Sequence, residues 1–452
     1  MDLNSIFRGI FGILLLVGIA YLLSNNKKKI NWKLVTTGLG LQFVFAIFIL
    51  RGNDLRSFFL PLGWPVDFFN WISSFFVILL NFTTEGAVFI FGDLARPPGA
   101  DGSLGSFFAF QVLPTIIFFA CLMSVLYFVG FMQLVVKGMA WVMARSLGTS
   151  GAESLSCSAN IFVGQTEAPL MIKPYLKDMT RSEILTIMVG GMATIAGGVM
   201  AAYVQILGSA YSVKHGIPLA EAQQIFATQL LGASVMAAPA AIVISKILFP
   251  ETEEPVTKGT VRVDVEKDAA NIIEAAANGA GSGLKLALNV GAMLLAFIGL
   301  IALINYLLHG TGDLLNLNKM LVANFGHPLS FELLLGWIFQ FVAFGVGVPW
   351  EDALNFGSLL GIKVVLNEFV AFTEMGTLIE AGKIFNEKTM LMATYALCGF
   401  ANFSSIAIQI GGLGPLAPNQ KSIIAGLGIK AVIGGSMATL MTATLAGLLF
   451  IF

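Results

Sequence analysis

Two apolar stretches of this chain are each interrupted by an amide and a carboxylate, and no other feature limits its fold as strongly. The first, at 160–170, reads NIFVGQTEAPL, and the second, at 364–371, reads VVLNEFVA. A carboxylate at membrane depth costs several kcal/mol, and such residues usually mark the path of a substrate or an ion. Two interrupted hydrophobic segments in corresponding halves of a chain indicate a binding site near the membrane midplane.

The composition places the chain in a membrane. Of its 452 residues 57% are hydrophobic and only 11% are charged, whereas a soluble domain has about 25% charged residues. Apolar runs approach the roughly 20 residues that cross hydrocarbon, as at 10–23, 107–128 and 286–308. We therefore predict an all-α polytopic membrane protein surrounded by lipid. A net charge of −1 gives no sign of a nucleic-acid partner, and three scattered cysteines form neither a disulfide framework nor a metal cluster.

Charge and aromatic residues predict the topology of the N-terminal part. Lys27, Lys28 and Lys29 follow the first span in a short loop, which places that loop in the cytoplasm and the N-terminus outside. The segment 57–91 is rich in aromatic residues and contains Pro61 and Pro65, so it is predicted to be a helix lying along the interface.

The rest of the chain divides into two similar halves. Each contains a span, an interfacial helix, a hairpin with a carboxylate at its tip, a helix broken near glycines (190–198 and 399–405) and a closing span. In the first hairpin Glu167 is followed by Ala-Pro, and proline suits the first turn of a new helix, which predicts two half-helices. Since the first hairpin enters from the cytoplasm and the second from outside, the halves are inverted structural repeats with two re-entrant hairpins. The predicted segments are the N-terminal helices at 1–105, the first repeat at 106–250, a charged cytoplasmic loop at 251–280 and the second repeat at 281–452.

Polar side chains at predicted membrane depth gather at the hairpin tips and the helix breaks. They offer carboxylates, amides and hydroxyls suited to a neutral, polyhydroxylated ligand, and they are Gln165, Thr166, Glu167, Glu368, Asn402 and Ser405. Phe400 would add an aromatic wall. Each has a structural alternative: a buried acid bonded to a helix end, or an amide or hydroxyl that joins helices. Unwound carbonyls at Asn160, Val163, Thr194 and Ile195 are also candidates for a sodium site.

Two other classes of protein compete with a transporter of such a solute. An intramembrane hydrolase would use Glu167 and Glu368 as an acid–base pair, but no further acid lies beside either. A carrier of amino acids or peptides would be expected to clamp the carboxylate with arginine, and no arginine lies near the tips.

Three motifs resemble those of the concentrative nucleoside transporters: GQTEAPL at 164–170, NEF at 367–369 and GFANFSS at 399–405. The resemblance covers the chain from about residue 107 to its end. It implies a transporter rather than an enzyme: a homotrimer of the bacterial inner membrane that takes up nucleosides of the uridine, cytidine and adenosine type by elevator-type alternating access. Uptake would be coupled to sodium, with proton coupling as the alternative. No organic cofactor is expected.

The resemblance also implies roles for individual residues. Gln165, Thr166 and Glu167 would bind the base, and Glu368, Asn402 and Ser405 would bind the ribose. Val199 and Phe400 would line the base pocket together with one unassigned residue of 283–291. The sodium ligands would be Asn160, Val163, Thr194 and Ile195. Because the GQTEAP form of the first tip is intact, sodium is favoured over protons.

Overall fold

The computed structural model describes residues 3–97, 100–105, 107–258, 269–325, 328–383 and 386–450. Nineteen α-helices account for most of these ranges. In the first half they are α1 Leu3–Leu22, α2 Trp32–Leu50, α3 Gly52–Phe58, α4 Trp64–Phe91, α5 Phe108–Gln111, α6 Leu113–Val129, α7 Phe131–Leu147, α8 Gly151–Ala159, α9 Arg181–Ala193, α10 Gly197–His215 and α11 Leu219–Leu248. In the second half they are α12 Ile272–Leu314, α13 Asn318–Phe325, α14 Phe331–Gly345, α15 Trp350–Val365, α16 Glu368–Glu380, α17 Glu387–Leu397, α18 Phe403–Leu413 and α19 Lys421–Leu449.

The predicted polytopic membrane fold is confirmed. Seven helical segments of the described chain are long and apolar enough to cross a membrane. There are eight if α14 and α15, between which the chain bends by 119°, form one span. The most apolar stretch of α11 is completely buried inside the protein, whereas only 17% of the corresponding stretch of α12 is buried. Helix α11 therefore lies in the core of the protein, and α12 presents most of its surface outward.

The two halves repeat the same order of elements. The first consists of α6, α7, hairpin 1 (residues 151–178), the broken helix α9–α10 and α11. The second consists of α12, α14, hairpin 2 (residues 350–380), the broken helix α17–α18 and α19. The halves interlock, since α6 packs along α12, α9 along α19 and α10 along α16. Each half therefore completes the packing of the other.

The two helix breaks lie against each other beside α19. A Cβ atom at Gly399 would lie 2.8 Å from the carbonyl oxygen of Met192, and one at Gly435 would lie 2.8 Å from the Cβ of Met192. Only glycine allows so close an approach. The glycine-rich breaks of the sequence therefore bring the end of α9, the end of α17 and α19 together.

Hairpin 1 differs from the predicted pair of half-helices. Its first arm is α8, but the residues after the tip form short 3₁₀-helices at Ala168–Ile172 and Leu176–Asp178. Pro169 and Pro174 account for this difference. Proline lacks the N–H of an α-helical hydrogen bond, and its ring clashes with the preceding turn, so two prolines five residues apart prevent a continuous α-helix.

Two further elements differ from prediction. The segment 57–91, predicted to lie along the interface, contains one helix of 28 residues at Trp64–Phe91, whose length and hydropathy are sufficient for a membrane span. Pro65 lies in its first turn, where proline is tolerated. The charged loop predicted at 251–280 is shorter, because α12 begins at Ile272 with Asn271 as its N-cap. Residues 259–268 of that loop lie outside the described ranges.

Candidate functional site

The tip of hairpin 2 holds a buried carboxylate. Asn367 is the N-cap of α16, and its side chain accepts a hydrogen bond of 2.9 Å from the amide of Val370. This cap starts the helix at Glu368, which is only 6% exposed. Its Oε1 accepts a hydrogen bond of 3.0 Å from the hydroxyl of Tyr203, and its Oε2 accepts one of 3.0 Å from Nδ2 of Asn402. The carboxylate therefore has a fixed direction.

The start of α18 repeats this capping at the second helix break. Asn402 is its N-cap and accepts a hydrogen bond of 2.9 Å from the amide of Ser405 through Oδ1. Since Oδ1 is used for the cap, the amide nitrogen of Asn402 points the other way, toward Glu368. One asparagine thus ends the break and orients the carboxylate.

The tip of hairpin 1 reaches the same helix of the other half. Nε2 of Gln165 donates to Oγ of Ser405 over 3.1 Å, and Oε1 of Gln165 accepts from Nε2 of Gln409 over 3.0 Å. Gln409 also donates to the carbonyl of Met188 at 2.9 Å. The Gln165 amide is 7% exposed and held on both sides, so its donor and acceptor faces are fixed.

Four of the predicted binding residues therefore belong to one polar network, which runs through Gln165, Ser405, Asn402 and Glu368. Hairpin 1 contributes Gln165, the second break contributes Asn402 and Ser405, and hairpin 2 contributes Glu368. These four residues present carboxylate, amide and hydroxyl groups, and none of them has a cationic side chain. It matches a neutral ligand that both donates and accepts hydrogen bonds.

The other two residues of the first tip lie differently. Thr166 packs against α18, since a Cβ atom at Gly412 would lie 2.8 Å from its methyl group. The Glu167 side chain is exposed, and its carboxylate folds back over Gly164, where a Cβ atom would meet its Oε2. Glu167 makes no side-chain hydrogen bond or ion pair within the described part of the chain. The two tip carboxylates are thus in different environments.

The predicted apolar walls lie next to the network. Val199 is buried in the first turn of α10, one turn before Tyr203 and on the same face of the helix. Phe400 lies half-buried within the second break. In the range 283–291, Gly283 packs on α6, while Ala287 and Val290 are buried.

Two of the four predicted sodium ligands, Thr194 and Ile195, lie at the first helix break, and the other two, Asn160 and Val163, lie beside Phe162 in the chain of hairpin 1. The amide of Gly197 donates to the carbonyl of Phe162 over 3.0 Å and so joins the break to the tip of hairpin 1. Asn160 is 1% exposed, and its Oδ1 has no hydrogen-bond partner among the described residues. No backbone N–H of the described chain outside the helices donates to the carbonyls of Val163, Thr194 or Ile195. A buried oxygen without a donor, beside unused carbonyls, is the kind of oxygen set that suits a hard cation.

Comparison with known proteins decides the family. Residues 11–94 match the profile of the Na+ dependent nucleoside transporter N-terminus, 109–210 that of nucleoside recognition domains, and 229–447 that of the Na+ dependent nucleoside transporter C-terminus. The chain is 39% identical to CNTnw, solved in an inward-facing substrate-bound state. The TM-score is 0.83, and the match covers 98% of both chains. The chain belongs to the concentrative nucleoside transporters.

This transporter has relatives in bacteria and mammals. It is 44% identical over 448 residues to an uncharacterized transporter of Haemophilus influenzae, with 98% of each chain covered. It is 39% identical over 460 residues to sodium/nucleoside cotransporter 1 of Mus musculus, of which it spans 63%. The resemblance predicted from the motifs is confirmed, and the family consists of membrane transporters rather than enzymes.

Two residues of this transporter's network were missed in the sequence. Tyr203 and Gln409 hold Glu368 and Gln165, respectively. Each is a polar group in the middle of an apolar helix, and a buried hydroxyl or amide needs a hydrogen-bond partner. That requirement could have identified them as candidates, although not their partners.

Proposed function

We propose that this nucleoside transporter is a sodium-coupled symporter that takes up uridine, cytidine and adenosine-type nucleosides across the bacterial inner membrane. The observation that carries the proposal is the network from Gln165 to Glu368. It combines residues of both hairpins and of the second break, so a nucleoside bound there contacts both halves of the transporter at once.

We assign the ribose to the Glu368 side of this network and the base to the Gln165 side. Ribose hydroxyls donate well to a carboxylate and accept from an amide N–H, and Glu368 and Asn402 present these two groups side by side. Ser405 lies between the two ends. The Gln165 amide, with Thr166 and Glu167 of the same tip, offers donors and acceptors for a base edge, and Val199 and Phe400 cover the faces of the ring.

Sodium is assigned to Asn160, Val163, Thr194 and Ile195. The Oδ1 of Asn160, which has no hydrogen-bond partner among the described residues, and the carbonyls of Val163, Thr194 and Ile195 would supply oxygen ligands without a carboxylate, a set that suits sodium. The Gly197–Phe162 hydrogen bond joins these residues to hairpin 1. Bound sodium would thus fix the position of the tip that carries Gln165, which couples ion and nucleoside binding.

The transport cycle is proposed to be elevator-type alternating access within a homotrimer, with the N-terminus outside. Both hairpins and both broken helices would move together against α6 and α12. The existence of CNTnw structures in inward-facing, outward-facing and intermediate states supports a cycle of this kind.

Uptake of radiolabelled uridine into proteoliposomes tests the proposal. We expect accumulation with an inward sodium gradient and none with potassium; accumulation driven by a proton gradient without sodium would favour the proton-coupled alternative. Asn160→Ala should raise the sodium concentration for half-maximal uptake by about tenfold. The matched control is Asn271→Ala, an N-cap far from the proposed sodium ligands. Equal uptake in sodium and potassium would contradict sodium coupling.

A further inference from the structure

Hairpin 2 contains a lysine that the proposed function does not use. Lys363 lies in the last turn of α15, five residues before Glu368, and it is 1% exposed. An ammonium at membrane depth costs several kcal/mol unless it has partners, and such residues are functional by default. Its position therefore needs an explanation in terms of its contacts.

The ammonium of Lys363 binds two neutral oxygens. Nζ donates to the carbonyl of Ala396 over 2.7 Å and to Oγ1 of Thr439 over 3.0 Å. The Thr439 hydroxyl in turn donates to the carbonyl of Ser436 over 3.0 Å, which leaves its lone pairs for the ammonium. Both oxygens therefore face Lys363 as acceptors.

The carbonyl of Ala396 is an unsatisfied group of a helix end. Helix α17 ends at Leu397, and Cys398 already leaves the helical conformation. The backbone N–H of residue 400 would bond to Ala396 in a continuous helix, but the break removes it. A cation at the carbonyl end also complements the negative end of the helix dipole. Lys363 thus supplies both the donor and the charge that the break has removed.

The residues after this break bind the proposed ribose. Asn402 caps α18 and donates to Glu368 at 3.0 Å, so the direction of the chain between Leu397 and Asn402 decides where both groups point. The opposite charges of Lys363 and Glu368 also attract each other within hairpin 2. One side chain therefore connects the hairpin, the end of α17 and α19 on the side of Glu368.

We propose that Lys363 is a positioning residue for nucleoside recognition, a tethered cation that closes the carbonyl end of α17 at the second helix break and thereby aims Asn402 and Glu368 at the ribose. The ammonium of Lys363 thus has the role at the second helix break that a bound sodium ion is proposed to have at the first. This inference rests on the ribose assignment under the proposed function.

Equilibrium binding to purified transporter in saturating sodium tests this role. Labelled uridine is displaced by unlabelled uridine or by 3′-deoxyuridine, which lacks one ribose hydroxyl. We expect Lys363→Met to lower uridine affinity by about tenfold or more and to bring the ratio of the two affinities close to one. In a separate titration at saturating uridine, the sodium concentration for half-maximal binding should be the same in Lys363→Met as in the wild type.

Two further variants separate positioning from folding. Lys246→Met removes another buried lysine, which is far along the chain from the second break. The fraction of this variant that folds should have the wild-type ratio of affinities for uridine and 3′-deoxyuridine. Thr439→Val keeps the lysine but removes one of its two oxygens; it should lower uridine affinity by about threefold and lower the ratio too.

The outcomes distinguish this inference from the proposed function. A wild-type transporter that binds no uridine rejects the ribose assignment and this inference with it. The inference alone is overturned if the wild type binds uridine while Lys363→Met keeps the wild-type ratio. If Lys363→Met does not fold, a Thr439→Val protein with wild-type affinity and ratio overturns it.

Discussion

The two hairpins have similar tips but differ in how each carboxylate is held. Hairpin 2 has two α-helical arms of 16 and 13 residues, and Glu368 at its tip is buried between Tyr203 and Asn402. Hairpin 1 has one α-helical arm of nine residues followed by 3₁₀-helices, and Glu167 at its tip is exposed. At this tip the buried polar side chain is instead the amide of Gln165.

An amide close to a carboxylate in the chain therefore has opposite roles in the two repeats. In hairpin 2 the amide of Asn367 caps the helix and the carboxylate faces the network. In hairpin 1 the amide of Gln165 faces the network, and the exposed carboxylate of Glu167 folds over Gly164. The two tips therefore present different chemistry to the two ends of one ligand.

The hairpins also differ in where each uses a buried lysine. At the base of hairpin 1, Nζ of Lys246 lies 2.8 Å from Glu153 and 3.3 Å from Glu251, and it donates to Ser182 over 3.0 Å. In hairpin 2, Lys363 lies close to the tip and contacts only neutral oxygens among its hydrogen-bond partners in the described chain. Lys246 of α11 anchors the base of hairpin 1 from outside the hairpin, whereas Lys363, within hairpin 2, supports its binding end.

The largest expected effect concerns the base of hairpin 1. Lys246→Met should lower the free energy of unfolding by about 3–5 kcal/mol, because it leaves the buried carboxylate of Glu153 without its ion pair. Denaturant unfolding of the purified protein in detergent measures the change. Lys258→Met is the control, since Lys258 pairs with Glu254 on the exposed surface and such pairs contribute little. A Lys246→Met protein as stable as the wild type would show that this network does not anchor the hairpin.

The next effect concerns the tip of hairpin 2. Glu368→Gln should lower uridine affinity by about 100-fold, because a charged acceptor with two donors is replaced by a neutral amide. Equilibrium binding in sodium measures it. Glu374→Gln changes a carboxylate of the same helix that makes no side-chain hydrogen bond to the described residues, and it should bind like the wild type. Equal losses in both variants would mean that the tip carboxylate has no special role.

A smaller effect is expected where hairpin 1 meets the other half. Gln409→Leu should lower uridine affinity by about tenfold, because the amide of Gln165 then loses the donor that orients it. Gln205→Leu is the matched control, since Gln205 pairs with Gln223 and not with the network. The interpretation fails if the two leucine variants have the same affinity for uridine.

The smallest effect is expected at the exposed tip of hairpin 1. Glu167→Gln should lower uridine affinity by about threefold, because its carboxylate holds no other side chain of the described chain and its proposed contact to the base is screened by solvent. The same binding assay measures it beside Glu368→Gln. If Glu167→Gln were the more damaging of the two, the proposed difference between the hairpins would be reversed.

The sequence alone predicts the fold class and the polar tips. Carboxylates in apolar runs and glycine-rich breaks are local signals, and the structure has hairpin tips and helix breaks at these positions. The differences at 57–91 and in the second arm of hairpin 1 both involve proline. Pro65 lies in the first turn of a helix and does not interrupt it, whereas Pro169 and Pro174 together prevent a continuous α-helix.

The partners within the network could not be predicted in this way. Tyr203 and Glu368 are 165 positions apart, and Gln165 and Gln409 are 244 apart. Their contacts follow from the packing of one inverted half against the other, which no local pattern specifies. For the same reason the role of Lys363 could not be predicted, since its hydrogen-bond partners belong to α17 and α19.

Binding of modified nucleosides tests whether the two hairpins hold different ends of one ligand. Affinities of the wild type, Glu368→Gln and Gln165→Leu are measured for uridine, for 3′-deoxyuridine and for a uridine analogue methylated on the base. We predict that Glu368→Gln loses discrimination at the ribose and keeps it at the base, while Gln165→Leu does the reverse. If both variants lost both kinds of discrimination equally, the two hairpins would not hold separate ends of the nucleoside, and the account would be wrong.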